Sequence, residues 1–461
     1  MFSKEVYSKR RKALAAKLSS GLALFLGNTE ASFNYPANTY DFRQDSDFLY
    51  FFGIDHPDLA GVIDIDSGEE FIFGNDVDMD DIIWMGNQPS MKDTATKVGV
   101  KNTFPFGKLT DFVGEALKRN RKVHYLPPYR GKNIILLGEL TNQTPLEVKT
   151  NFSKELIQAV VSLRLIKEAV EVEEIEKAME IAYHMHTTAM KMAKPGVVER
   201  EIAGVISGIA SSMGSGISFP IILSINGQTL HNHYHGNVLK EGRMMVTDAG
   251  AESLLHYASD ITRTVPVGGK FNTRQKEIYE IVLKANLESS KIVKPGKTNR
   301  STHLFAAEIV ATELKALGLM KGDVKEAVQS GAHALFFPHG LGHHMGLDVH
   351  DMEGLGENNV GSDDKIKRRD QFGLAFLRFG KEYEPGHVFT IEPGIYFIPA
   401  LIDQWKAENK FTNFINYDKV ETYKDFGGIR IEDDILVTND GYRVLGRPIP
   451  KTVEEIEDIM K

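Results

Sequence analysis

The sequence predicts an α+β protein of two domains, and three observations carry that expectation. Its 461 residues exceed the size at which one hydrophobic core usually stops growing. To about residue 160, short strand patterns alternate with short helical ones, as in a small α/β unit. Beyond that point amphipathic helices are grouped between strand pairs, and each of four strand-like segments carries one carboxylate in an apolar or β-branched run.

In chain order, residues 4 to 19 have the spacing of an amphipathic helix, and GLALFLGN after them reads as a short buried strand ending in turn residues. The aromatic stretch FRQDSDFLYFFGI, from Phe42 to Ile54, falls within the run of short strands and turns. Gly61 to Phe73 reads as two strands joined at Asp66, Ser67 and Gly68, and IILL near residue 134 reads as a further strand. From Asn151 to Ala193 the pattern is helical until Lys194-Pro195-Gly196 stops it, which puts the boundary near residue 160 and gives domains of 1–160 and 161–461. On that long helix His184 and His186 lie two apart and face different ways, which suits packing or surface positions. A helix over 199–212, the strand FPIILSING, the histidine-bearing TLHNHYHGN and the strands MMVTDAG and HYASDITRTVPVGG follow. Helices near 272–292 and 299–317 lead to the glycine-rich stretch Pro338 to Asp351, then to VFTIEPGIYF and FGGIRIEDDILVT.

Composition narrows the chemistry. Apolar content of 42%, charged content of 25% and a net charge of −9 are those of a globular protein with neither nucleic acid nor an anionic membrane as its main partner. There is no cysteine, so disulfides, thiolate metal sites and thiol nucleophiles drop out. The N-terminus mixes charge with apolar residues rather than forming the apolar segment of a signal peptide, and no run approaches a membrane span of ~18 residues. A cytoplasmic location is expected.

The carboxylates are Asp248 after MMVT, Asp260 before ITRTV, Glu392 after VFTI and Glu432 after IRI. A charge in a buried strand is costly unless it is paired or bound to metal, and only Arg263 and Arg430 are near enough in sequence to pair with them. PHGLGHHMGLDVHD adds His339, His343, His344 and His350. With His343, the four carboxylates form a hard oxygen set with one nitrogen, suited to Mn²⁺, Co²⁺ or Zn²⁺. Two divalent ions roughly 3.5 Å apart would bring water to hydroxide near neutral pH.

The motifs TDAG, SDITRT, HGLGHHMGLDVHD, TIEPGIY and GGIRIEDD, in that order, resemble the metal-ligand segments of the M24 metallopeptidases. The resemblance implies a pita-bread catalytic domain holding two divalent metals, Mn²⁺ first, on Asp248, Asp260, His343, Glu392 and Glu432, with Asp260 and Glu432 bridging. It implies catalytic roles for His339 and His350, and for a histidine just before the first aspartate. The pattern H-Y-x-x-N selects His233 for that role, while ungapped spacing selects His231. His344 is expected to point away from the metals. The interval from Asp248 to Asp260 is one residue longer than in relatives, which a longer hairpin tip would absorb.

FRQDSDFLYFFGI resembles the creatinase-like N-terminal domain of aminopeptidase P and prolidase. The implied activity is Xaa-Pro aminopeptidase on proline-containing peptides, by an enzyme that forms dimers or tetramers. Prolidase is the alternative, with organophosphate hydrolysis as a possible side activity, because the insert between Glu392 and Glu432 resembles the prolidase segment. Arg378 matches the arginine that receives a dipeptide's carboxylate in prolidase, and Arg430 is grouped with it at the substrate. A different class, an inactive pita-bread binding module, would be marked by lost ligands.

Overall fold

Lys4–Ala15 forms α1, and Leu22–Leu26 forms β1, followed by α2 (Ser46–Phe52), β2 (Ala60–Asp64) and β3 (Glu70–Phe73). β4 (Asn102–Phe104), α3 (Lys108–Lys118), β5 (Val123–His124), α4 (Gly131–Thr141) and α5 (Lys154–Arg164) complete the first of two units. In this computed structural model, which describes residues 1–461, that unit comprises Met1–Arg164 with Gly354–Asn359, and the second comprises Leu165–Glu353 with Val360–Lys461.

The first unit is built on a five-stranded mixed sheet in the order β4-β3-β2-β1-β5. β1 and β2 run antiparallel from Leu22↔Asp64 to Leu26↔Ala60, while β1 with β5 and β3 with β4 are parallel. Leu22, Leu24, Val62, Phe71 and Phe73 close a core with Leu109 and Val113 of α3 and Leu137 and Leu140 of α4. The alternation along each strand puts these side chains on one face of the sheet.

Three expectations change here. The aromatic stretch contains a helix rather than a strand: the Asp45 side chain accepts from the Phe48 amide, and Gly53 ends the helix with φ 63. Phe48 and Phe52, one helical turn apart, stack at 5.2 Å between ring centroids. IILL lies inside α4, which Asn142 terminates in a left-handed conformation at φ 53. The helical pattern over 151–193 is two helices, because α5 stops at Arg164 and the next begins at Ala169 behind a Glu168–Glu171 capping box.

The second unit contains α6 (Ala169–Met192), α7 (Glu199–Met213), β6 (Ile222–Ser224), β7 (Met244–Ala249), β8 (Ile261–Pro266), α8 (Thr273–Lys291) and α9 (Asn299–Ala316). β9 (Val388–Ile391), β10 (Gly394–Tyr396), β11 (Gly428–Arg430), β12 (Asp433–Val437) and β13 (Tyr442–Val444) follow. These strands form small antiparallel sheets, β8-β7-β6, β9-β12-β13 and β10-β11, and a further two-stranded one pairs Gly216–Ile217 with Ala251–Glu252. β7 and β8 are buried throughout. Helices cover the strands: His186 of α6 donates to the carbonyl of Ala249 in β7 at 2.9 Å, and Asn286 of α8 donates to that of Ile391 in β9 at 3.0 Å. His186 is therefore a packing histidine, and burial pushes its pKa down to about 4. His184 faces outward beside Glu180 at 3.3 Å. No helix is long and apolar enough to cross a membrane.

Candidate metal centre

Each candidate carboxylate sits at or next to the end of a strand, so its backbone is held by a ladder while its side chain leaves the sheet. Asp248 lies opposite Thr262 in the β7–β8 pair, and Asp260 stands two residues before Thr262 on the same side of the chain. Ile391, the last residue of β9, lies opposite Asp433, the first of β12. Glu392 and Glu432 therefore both lie one step beyond that rung, on opposite strands.

His343 comes from the glycine-rich stretch, which runs hard against β9. A Cβ at Gly342 would lie 1.8 Å from the Thr390 carbonyl oxygen, so only glycine permits this approach. The His343 amide donates to Thr390 Oγ1 at 3.1 Å, and its Nδ1–H donates to the His344 carbonyl at 3.1 Å. That bond leaves the Nε2 lone pair directed inward, 3.4 Å from Asp260 Oδ2 and 3.6 Å from Glu392 Oε1.

Ligand atoms of Asp260, His343 and Glu432 all lie within 4.8 Å of one another. Asp248 Oδ1 and Asp260 Oδ1 are buried and accept no hydrogen bond from the protein. An acceptor in that position is expensive unless something positive completes it. Burial first, and then the neighbouring carboxylates Glu432 and Asp248, hold the Asp260 carboxyl well above its usual range. Burial, then Glu392 and Asp248, do the same to Glu432. Burial lifts Glu392 to about 8, against the pull of Arg430. Without a cation these groups hold protons that divalent metal would displace, so the donor set fits metal on charge as well as on geometry.

Hydroxyls orient the carboxylates. Thr262 donates to Glu432 Oε2 at 2.7 Å, and Thr390 donates to Glu392 Oε1 at 3.2 Å. Arg430, buried, donates through Nε to Thr262 Oγ1 at 3.0 Å, through Nη1 to the Tyr396 hydroxyl at 2.8 Å, and through Nη2 to Asp248 Oδ2. All three guanidinium nitrogens are thus engaged with protein. These bonds make Arg430 a clamp on Asp248, and each Nη keeps a second N–H that they do not use. The Tyr396 hydroxyl, having accepted from Arg430, lies 2.9 Å from His339 Nε2 and donates to it, while His339 Nδ1 donates to Gly340 at 2.8 Å. Burial, followed by the Arg430 charge, holds His339 down at about 3, so it works as a neutral imidazole.

His350 lies against His343, with ring centroids 4.0 Å apart and the rings tilted by 52°, and its Nδ1 pairs with Glu353. Arg378 Nε is 3.4 Å from the same Glu353 carboxylate, and the Arg378 charge reaches His339, His343 and Glu392. Of the two histidines weighed before the first aspartate, His231 meets the centre: its ring lies within reach of the charges of Arg430, Asp248, Arg378 and His350. Both histidines are exposed and neither hydrogen-bonds to a residue of the centre, so the nearby charges are what favour His231 over His233. Register explains this, since the chain over 231–240 forms no strand to propagate the H-Y-x-x-N spacing. His344 is turned away, 3.9 Å from the Phe379 ring and 5.0 Å from His387 between centroids.

Thr262, Thr390 and Tyr396 were not singled out by sequence reasoning. The signal for the two threonines was present, because D-I-T and T-I-E put Thr262 and Thr390 two residues from Asp260 and Glu392, on the same face of an extended strand.

Residues 7–125 match the N-terminal domain of aminopeptidase P, and residues 173–439 match metallopeptidase family M24. The chain is 33% identical to the Xaa-Pro dipeptidase of Homo sapiens, over 91% of this chain and 84% of that one. It is also 33% identical to a probable Xaa-Pro aminopeptidase of Fusarium vanettenii, over 91% and 87%. The structure of Zn-substituted E. coli aminopeptidase P in complex with product superposes with a TM-score of 0.81 at 28% identity, covering 100% of this chain and 98% of that one. From the ordered motifs, the two-unit fold and these matches together, the chain belongs to metallopeptidase family M24, with an aminopeptidase P-type N-terminal domain.

Proposed function

We propose that this metallopeptidase hydrolyses the Xaa-Pro bond at the N-terminus of peptides. The observation that carries the reading is the meeting of Asp260, His343 and Glu432 within 4.8 Å, beside two further carboxylates, in a chain that superposes over its whole length on aminopeptidase P. Asp248, Asp260, His343, Glu392 and Glu432 would hold two divalent ions, Mn²⁺ by preference for hard oxygen donors. Such ions supply Lewis-acid polarisation of the scissile carbonyl and acidification of water. The chain's own residues do the rest. Neutral His231 steadies the carbonyl and the charge that develops on it, His339, with both ring nitrogens engaged, holds the Tyr396 hydroxyl beside Arg430, and His350, held by Glu353, handles the proton passed to the proline nitrogen.

A second reading, Xaa-Pro dipeptidase, is favoured by Arg378, whose charge faces the centre from beside Glu353. A cytoplasmic enzyme assembled as a dimer or tetramer completes the proposal. Asp260→Asn and Glu432→Gln in the full chain test its core, with metal content measured alongside hydrolysis of Xaa-Pro-Xaa tripeptides. Loss of metal together with activity supports the reading. Full activity in either variant, or active protein free of metal, overturns it.

A further inference from the structure

Asn286 lies within α8 and is fully buried. Asparagine is a poor helix former, and its side chain competes with the helix for backbone groups, so helix propensity does not explain it. Its Nδ2 donates to the carbonyl of Ile391 at 3.0 Å and to that of Ile431 at 3.4 Å. Ile391 immediately precedes Glu392, and Ile431 immediately precedes Glu432. One amide group therefore spans the two backbone positions from which both glutamates of the centre depart.

The orientation of that amide is settled by its other end. Oδ1 receives Lys451 Nζ at 3.1 Å, and an ammonium has donors only, so the Nδ2 face must turn to the carbonyls. Lys451 Nζ also bonds Asp433 Oδ2 at 2.6 Å, while Asp433 Oδ1 takes Arg263 Nη2 at 2.8 Å. Arg263 reaches the carbonyls of Pro450 at 3.1 Å and Ile449 at 3.2 Å. The C-terminal segment 449–451 is thereby tied to the back of the two glutamate-bearing strands.

We propose that Asn286 is a positioning residue that sets the spacing between Glu392 and Glu432, and that Lys451 holds its amide in the productive orientation. Without the amide, two buried carbonyls lose their shared donor and the strand ends are free to relax independently. The ladder rung Ile391↔Asp433 would remain, so the fold persists while the distance between the glutamates loosens. A purely structural amide would lower stability with and without metal alike. A positioning amide acts mainly on the metal-loaded state.

The inference rests on the metal-centre reading, and the experiment separates the two. Full-length wild type, Asn286→Leu, Lys451→Met and Lys451→Arg are titrated with Co²⁺ by calorimetry and visible absorption, and melted with and without Co²⁺. If wild type takes up no Co²⁺, the metal-centre reading fails. If it does, Asn286→Leu should bind Co²⁺ roughly tenfold to a hundredfold more weakly, with an altered spectrum and a reduced metal-induced rise in Tm. Lys451→Met should shift the same quantities by less, and Lys451→Arg should restore them. An Asn286→Leu protein that melts lower without metal yet keeps wild-type Co²⁺ affinity and spectrum overturns the proposal. If Asn286→Leu does not fold, Lys451→Met decides, and wild-type Co²⁺ binding there overturns it equally.

Discussion

The Thr262 hydroxyl donates to Glu432 Oε2 at 2.7 Å while accepting from Arg430 Nε at 3.0 Å. It thus passes the polarity of a buried guanidinium to a carboxylate that would ligate metal. Thr264, two residues on, repeats the motif by exchanging bonds with the Arg430 backbone at 3.0 and 3.1 Å. The strand ITRTVP is therefore a frame for Arg430 and Glu432 together.

Thr262→Val keeps the shape and removes the hydroxyl. A hydrogen bond to a charged group contributes about 1.5 to 3 kcal/mol, and partners of metal ligands typically change affinity or activity by tenfold to a hundredfold. Metal affinity and kcat/KM should fall together by about that factor, with Thr262→Ser near wild type. Wild-type metal affinity in Thr262→Val would show that Arg430 alone orients the centre.

The crowding of carboxylates makes the metal-free protein sensitive to pH, and the direction follows from Glu392. Its folded pKa of about 8 lies above the ordinary 4.5, so between those values the folded state holds a proton that the unfolded state has released. Its contribution is complete below pH 4.5 and is lost as pH rises through about 8. Asp260 and Glu432 shift the same way. The metal-free chain should therefore lose Tm from pH 6 to pH 8, while the rise in Tm on adding Mn²⁺ should grow over that interval. Glu392→Gln should flatten the metal-free profile. A metal-free Tm that climbs steadily to pH 8 would contradict the burial of these groups as acids.

His231 and His233 differ in what they face. Because His231 lies within reach of the charges of Arg430, Asp248 and His350, His231→Ala should lower kcat by about 10²-fold with metal retained, as for loss of one donor to a developing oxyanion. His233→Ala should stay within about twofold. The reverse order, measured by steady-state kinetics on metal-loaded protein, would restore His233.

How far the sequence discloses this centre can be read from its individual residues. Asp248, Asp260, Glu392 and Glu432 stand out because a lone carboxylate in a β-branched run conflicts with burial, and the structure gathers Asp260, Glu432 and Glu392 at His343 with Asp248 held by Arg430 nearby. The first histidine was ambiguous because it lies on irregular backbone, where no period constrains direction. The aromatic helix Ser46–Phe52 was hidden for another reason: Asp45 and Gly53 are sound start and stop signals, but a seven-residue run dense in aromatics fits strand propensity equally well. Asn286 left no pattern, since a single polar residue within a long helix carries meaning only once the carbonyls it meets are known.

Substrate length turns on Arg378. A dipeptidase must capture a free carboxylate directly after proline, whereas an aminopeptidase must leave that direction open to the rest of the peptide. Arg378 Nε lies 3.4 Å from Glu353 Oε2, and Glu353 also binds His350, so the guanidinium is anchored on one edge beside His350. A guanidinium held in this way presents fixed donors, and a charge-assisted bond to a carboxylate contributes about 1.5 to 3 kcal/mol. Arg378→Ala should lower kcat/KM for a Xaa-Pro dipeptide by roughly tenfold to a hundredfold. For a Xaa-Pro-Xaa tripeptide the change should be small, because the carboxylate then lies one residue farther out. Loss of Glu353 from the pair adds a control: Glu353→Gln keeps the arginine but loosens both it and His350, so it should reduce both substrates. If wild type prefers tripeptides and Arg378→Ala alters neither substrate, Arg378 serves only its ion pair with Glu353, and the enzyme is an aminopeptidase without a carboxylate site.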